Sequence, residues 1–473
     1  MGKKELSERK VMLIFINIVI TCVASSMLAT SLTTALPPII KDLNIPVTTG
    51  QWLTSGYSLV MAIVMPLSAF MINRFPTKRL YCSAIFTFIV GVFICSISVN
   101  FEMMLLGRCI QAMGNGMLIS MAQVVVLTIF PPEKKGAAMG WYGLSIGAAP
   151  IIAPTIAGIM VDRMSWRMIF VIPMIIMTIS FIYSLIIFDN VLETVNRKFD
   201  ITSFIMSAFA FGGVTLGIGN LGTSGLLSVK SGGFLLIGLV FAAVFAKRQL
   251  RIDEPFLELR ILKNKKYRTS VFGSMLLYFI LMGSTLLIPL YIQETRGLSA
   301  TTSALVTLPG ALANAVFSPF AGKLYDKFGM KILFRAGAFC LVVCNIGMYF
   351  VGLNTPISIA AVLNVVRMTA LGLLLMPLVT WGAENVSSEL TPHATAIITS
   401  LRTTSGAIGS AVFVSIMTVV SENSVKTYGS GASMHGVNIA FLMMGLASVV
   451  MLLIAWDGTK NEKKRRITAE ECN

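Results

Sequence analysis

The chain has 473 residues, of which 55% are hydrophobic and only 12% charged, with a formal net charge of +16. Mean hydropathy is strongly positive at +0.82. This balance excludes a soluble globular domain, in which about a quarter of residues carry charge, and it points to an all-α polytopic membrane protein.

The basic amino end, MGKKELSERK, precedes an apolar run too long for a signal peptide and without a small-residue cleavage site. A myristoylation signal is a poor fit, because Ser7 stands one place beyond the required hydroxyl. Apolar stretches of membrane-crossing length then recur near 11–36, 52–72, 80–99, 103–129, 137–160, 168–188, 201–222, 231–246, 270–293, 299–322, 332–352, 356–380, 393–419 and 437–457. Those spans alternate the chain across the bilayer. With a cytoplasmic amino end, 28 basic residues fall on the inside, and only Lys41, Arg163, Arg167, Lys230, Arg296 and Lys426 fall outside. Such a bias is the positive-inside rule, and it places both termini in the cytoplasm. It accounts for the net charge through anionic lipid, with no need of nucleic acid. Arg108, Arg367 and Arg402 lie within spans.

Seven cysteines form no disulfide framework: six sit in apolar runs, Cys472 sits in the tail, and none has zinc-ligand spacing. His393 and His435 stand near span ends without a metal partner, and no phosphate loop or Ser-His-Asp set occurs. The sequence therefore predicts no enzyme, no metal and no cofactor.

The chain repeats itself. In the inside loop Ala69–Arg79, Ala69, Asn73, Arg74, Phe75 and Pro76 align with Gly322, Asp326, Lys327, Phe328 and Gly329, 253 residues later. The fourth span begins RCIQAMG at Arg108, and its counterpart begins RMTALG at Arg367. Two six-span halves in parallel repeat are a secondary-transporter architecture. The spans near 201–222 and 231–246 have no counterpart and read as an inserted pair. The expected organisation is an N-terminal bundle (1–188), a linker with the two extra helices and a basic cytoplasmic loop (189–268), a C-terminal bundle (269–457) and a basic tail (458–473).

Three groups of residues carry the functional reading. In the fourth span Arg108, Gln111 and Asn115 fall on one helical face. A charge at the bilayer centre costs about 2.5–3.5 kcal/mol on insertion scales and persists with a function or a partner. The face either lines a transport path and affects coupling, or Arg108 bonds backbone carbonyls and holds helices together. In the fifth span Gly143 and Gly147, then Ala149, Ala153 and Ala157, recur at spacing four beside Pro150, Pro154 and Gly158. Small residues so spaced admit a second helix closely, and the prolines predict a bend. That surface suits sliding or rocking, or plain small-residue packing. The two aligned loops make the third group. Asn73, Arg74, Lys78, Gly322, Asp326, Lys327 and Gly329 are candidates for an inward-face latch, with a solvated turn as the plain alternative. Glu384, at the end of the twelfth span, is either a proton carrier or a solvated loop residue. The 29 Met and 29 Phe suit adaptable apolar walls.

These motifs resemble those of the major facilitator superfamily, and in particular its fourteen-span drug:proton antiporters, the EmrB/QacA-like exporters. The loop motif G-x-L-x-D-[RK]-x-G-[RK] is matched by Gly322, Leu324, Asp326, Lys327, Gly329 and Lys331, and the fourth-span motif by Arg108, Gln111 and Gly114. Gln51, Trp52, Thr54 and Tyr57 look like the QW-x-x-x-x-Y pattern of the second span, and Pro150, Pro154, Gly158, Trp166 and Arg167 follow the antiporter motif, with alanines where glycines are usual. The first-span acid of this group is replaced by Leu28, with Thr30 nearby, and the first loop has Asn73 and Pro76 in place of its acid and glycine.

The resemblance implies two six-helix bundles related by a pseudo-twofold, plus two helices between them. It implies efflux of hydrophobic or amphipathic compounds by alternating access, driven by a proton gradient, in a monomeric plasma-membrane protein. Thr30, Trp52, Tyr57, Arg108, Gln111, Asn115 and Glu384 are the expected transport-path and coupling residues. The implied partners are lipid, protons and small amphipathic solutes. An exporter of an endogenous lipid, peptide or anionic metabolite is the alternative within the same fold, which the missing first-span acid favours. A non-transporting membrane receptor or enzyme is the alternative of another class.

Overall fold

The structure is a computed structural model, and it describes residues 7–192, 194, 199–220 and 228–460. Its long helices, in chain order, are α1 (Glu8–Asp42), α2 (Trp52–Arg74), α3 (Thr77–Ser96), α4 (Phe101–Ile129), α5 (Lys135–Arg163), α6 (Met168–Ile187) and α7 (Ile201–Gly219). There follow α8 (Phe234–Gln249), α9 (Lys265–Leu290), α10 (Ala300–Phe328), α11 (Met330–Tyr349), α12 (Ile357–Glu384), α13 (Thr391–Tyr428) and α14 (Ala432–Gly458). Among the described residues, twelve helical stretches are long and apolar enough to cross a membrane, rather than the fourteen expected. One of them, Ser388–Gly458, contains both α13 and α14, and α5 is not among the twelve.

Local chemistry sets the helix ends. The Asn100 side chain accepts from the Met103 N–H at the start of α4, and the Ser299 hydroxyl accepts from the Thr302 N–H at the start of α10. Between α10 and α11 a single residue, Gly329, turns the chain with φ +72, a left-handed conformation that a Cβ would strain. α1 runs to Asp42, beyond the expected limit near residue 36, straight through Pro37 and Pro38. Prolines are tolerated inside membrane helices, where neighbouring groups satisfy the freed carbonyls. α5 is likewise one unbroken helix, and the side chains of Pro150 and Pro154 lie outside the described residues.

Helix pairing repeats between the two parts of the chain. In the first, α1 packs on α5 and α6, α4 on α2 and α3, and α3 on α6. In the second, α9 packs on α13 and α14, α12 on α10 and α11, and α11 on α14, the same set eight helices later. Contacts between the parts are reciprocal: α5 meets α10 and α12, as α13 meets α2 and α4. The pair without a counterpart, α7 and α8, packs on itself through Gly213, Gly217 and Gly238, and α7 leans on α2 and α13.

The loop after α8 is more than a charged tether. Phe256, Leu257 and Ile261 are buried, and Phe256 lies among Phe70, Phe199 and Phe204. The buried Gln249 side chain accepts from the Leu257 N–H at 3.0 Å. At the foot of α7, Asp200 takes hydrogen bonds from Ser203 and an ion pair from Arg248 at 3.1 Å. Partial burial pushes the Asp200 carboxyl up, but those hydrogen bonds and the guanidinium outweigh it and hold the group below its ordinary value.

Candidate functional site

Three levels of polar structure lie along the contact between the two parts. The first is at the end of the molecule where α5 and α13 begin and α2 and α10 finish. Here α5 presents Gly136, Gly140, Gly143 and Gly147, and α10 presents Gly322, Ser318 and Asn314. A Cβ added at Gly140 would stand 2.7 Å from the Ser318 carbonyl oxygen, and one at Gly147 would stand 2.9 Å from the Asn314 amide. Ser318 donates to the Gly140 carbonyl at 3.1 Å. Backbones this close require small residues on both sides. Farther along α5 the seam opens, since a Cβ at Gly158 would meet nothing within 4 Å.

Asp326 closes this seam. Its two carboxylate oxygens accept from the Gly136 and Ala137 N–H groups, each at 2.8 Å. These are unpaired donors at the head of α5, where the helix dipole also favours an anion. Next to it, the Tyr325 hydroxyl donates to Glu384 at 2.6 Å. Glu384 is thus a half-buried helix-end residue of α12 rather than a solvated loop residue. The counterpart of Asp326 is Asn73, whose side-chain amide lies 3.0 Å from His393 Nε2, in the first turn of α13. On its other edge His393 Nδ1 accepts from the Glu258 N–H at 3.4 Å. Of the remaining loop candidates, Lys78 donates its backbone N–H to Asn190, Lys327 lies over the Phe328 ring, and Arg74 ends α2.

The second level is the face of α4 read from the sequence. Arg108, Gln111 and Asn115 are all buried. Arg108 donates to the Leu53 carbonyl at 3.1 Å and to Gln111 at 2.6 Å, and its guanidinium stacks 4.0 Å from the Tyr57 ring centre. Asn115 donates to the Tyr57 hydroxyl at 2.6 Å. All these partners come from α2 or from α4 itself, so the arginine is a carbonyl-bonded tie between two helices of one bundle. In the second part Arg367 likewise donates to Asn364, one turn away on α12. Trp52 is 43% exposed at the opposite end of α2, and Thr30 turns its hydroxyl back to the Ser26 and Met27 carbonyls of α1.

The third level was not picked out from sequence. About two turns into α13, Thr399 donates to Gln123 of α4 at 3.1 Å, a hydrogen bond between the two parts. One turn on, Arg402 is 5% exposed, with its guanidinium 4.6 Å from the Tyr278 ring of α9. The sequence signal available was an arginine in an apolar run, shared with Arg108 and Arg367. Depth and partners distinguish the three, and those belong to the fold.

Paired helical bundles meeting on a seam of small residues, with polar groups at mid-depth, describe a membrane carrier. The Major Facilitator Superfamily model matches residues 15–410, and the chain belongs to that family. It is 34% identical to the uncharacterized MFS-type transporter YcnB of Bacillus subtilis, over 92% of each chain. It is also 33% identical to the lincomycin resistance protein LmrB of the same organism, over 96% of this chain and 97% of that one. Among solved structures, a double-tryptophan mutant of XylE superposes with a TM-score of 0.68 over 96% of this chain and 97% of that one, at 14% identity, a likeness of fold.

Proposed function

We propose that the protein is a secondary active exporter of hydrophobic or amphipathic compounds, working by alternating access and driven by proton antiport. The carrying observation is the seam: two bundles touch through interchangeable small residues, pinned at one end by one carboxylate on one helix terminus. Such a contact can part without breaking a packed core. Membership in a transporter family and resemblance to a lincomycin resistance protein support export as the direction.

In this reading the polypeptide crosses the plasma membrane fourteen times, because Gly429–Gly431 breaks the longest apolar stretch into two helices and α5 makes a further crossing. Residues 1–188 and 269–457 are the rocking bundles, 189–268 the inserted pair and loop, and 458–473 the tail, with both termini cytoplasmic and the protein a monomer. The Asp326 end is then the cytoplasmic gate, here shut, and the Gly158 end faces outward.

Energised inverted vesicles test this. Ethidium should accumulate with a pH gradient and stop when a protonophore collapses it. Accumulation that survives the protonophore would eliminate proton antiport.

A further inference from the structure

Arg402 is a buried cation with no counter-charge among the described residues. It lies about 16 Å along the axis from the start of α13, near mid-membrane for a 30 Å hydrocarbon core. Its Nε and Nη1 atoms are buried without a hydrogen-bond partner. The helices that pack on α13 are α2, α4, α7, α9, α12 and α14, and in these and in α13 itself acids stand only towards the ends: Glu102, Glu384, Glu422 and Asp457. Glu422, on the same helix, is about 30 Å away along the axis.

Arg108 donates through Nε and Nη1, and Arg367 donates to Asn364 although its Nε is also unpaired, so Arg402, with two unpaired atoms, is the least satisfied of the three. Around Arg402 the unpaired groups continue. Gln123 Nε2 and the Ser274 and Ser400 hydroxyls are also buried without partners. Thr399 and Arg402 stand three residues apart on the face of α13 that reaches α4. Polar groups from both bundles therefore lie near this arginine, and no anion stands among them to balance the charge. An unpaired buried charge is costly, and one that persists within a membrane marks a ligand path or a partner.

We propose that Arg402 is an anion-accepting subsite, which takes the carboxylate or other single anionic group of an amphipathic organic solute. The Tyr278 ring covers one face of the guanidinium, and the Nε and Nη1 N–H groups, which point from different edges, are each free to donate to an anionic oxygen. This rests on the exporter reading above and adds organic anions to the amphipathic compounds it carries.

Purified wild type, Arg402→Gln and Arg402→Lys test the subsite with carboxyfluorescein as the anionic probe and ethidium as the cationic one. Wild type should bind carboxyfluorescein by fluorescence anisotropy, Arg402→Gln at least tenfold more weakly, and Arg402→Lys in between. Without ligand, Arg402→Gln should melt no lower than wild type, because it removes an unpaired charge rather than a tie. Equal carboxyfluorescein affinity in wild type and Arg402→Gln would overturn the subsite, as would a ligand-free melting point lowered by more than about 5 °C. Ethidium transport in wild type without carboxyfluorescein binding leaves the exporter and removes the subsite. Arg402-dependent binding with neither dye transported keeps the subsite and removes the exporter.

Discussion

At the residue scale, the three intramembrane arginines show how one side chain answers burial in different ways. Arg108 spends its donors on a backbone carbonyl, an amide and a ring. A hydrogen bond from a charged donor typically contributes about 1.5–3 kcal/mol. Arg108→Ala should abolish transport with the protein still in the membrane, and its melting point in detergent should fall clearly below wild type. Unchanged melting with lost transport would move Arg108 from tie to path. Asp326 is the opposite case, a carboxylate whose partners belong to the other bundle. In Asp326→Asn only the amide oxygen can accept, so one α5 N–H is left bare and the charge at the helix head is gone. Those changes weaken the latch by about 1–2 kcal/mol. Alkylation of a cysteine placed at Ser318 should then become roughly tenfold faster, since 1.4 kcal/mol is a factor of ten. An unaltered rate would mean the gate is held elsewhere.

At the element scale, α5 and α10 are shaped for each other by what they lack. Gly143 already has Met376 and Ser318 within 2.8 Å of where a Cβ would sit. Gly143→Leu should push the helices apart at the gate, with transport reduced at least tenfold while Gly158→Leu, at the open end, transports normally. Similar losses at both positions would argue that α5 simply tolerates no bulk. The fifth-span repeat was legible in sequence because spacing of four is a property of one helix. Its partner Gly322–Ser318–Asn314 was legible only as part of a loop motif, because which helix meets which is decided across the fold. The inserted pair has its own tie. Folding holds the Asp200 carboxyl below its ordinary value, so the tie stabilises above the unfolded pKa near 3.8 and fades as pH falls through the lower folded value. With both side chains partly exposed, its worth is below about 1 kcal/mol. Limited proteolysis of the 247–264 loop should be modestly faster in Asp200→Asn at neutral pH, and the difference should vanish in strong acid.

At the scale of the whole molecule, the two bundles touch through two quasi-equivalent corners with unlike chemistry. One corner is a carboxylate on a helix head, and the other is Asn73 against His393, overlaid by the loop at Glu258. Linking Asn73→Cys to His393→Cys with a reducible bis-thiosulfonate reagent should stop transport, and reduction should restore it. Transport that continues in the linked protein would show that this corner does not open during the cycle.

Composition and periodicity, by themselves, determined that the chain is a helical membrane protein, that its halves repeat and where its basic loops lie. Those follow from the free energy of burying each segment in lipid, which is a sum over local residues. The tertiary structure alone decided that Arg108 faces α2, that Glu384 is held by Tyr325, that a linker loop seals one corner, and that Arg402 has a ring beside it but no counter-charge among the described residues. Each of these depends on groups brought together from distant parts of the chain, and a buried charge is satisfied or stranded only by what those distant helices place beside it.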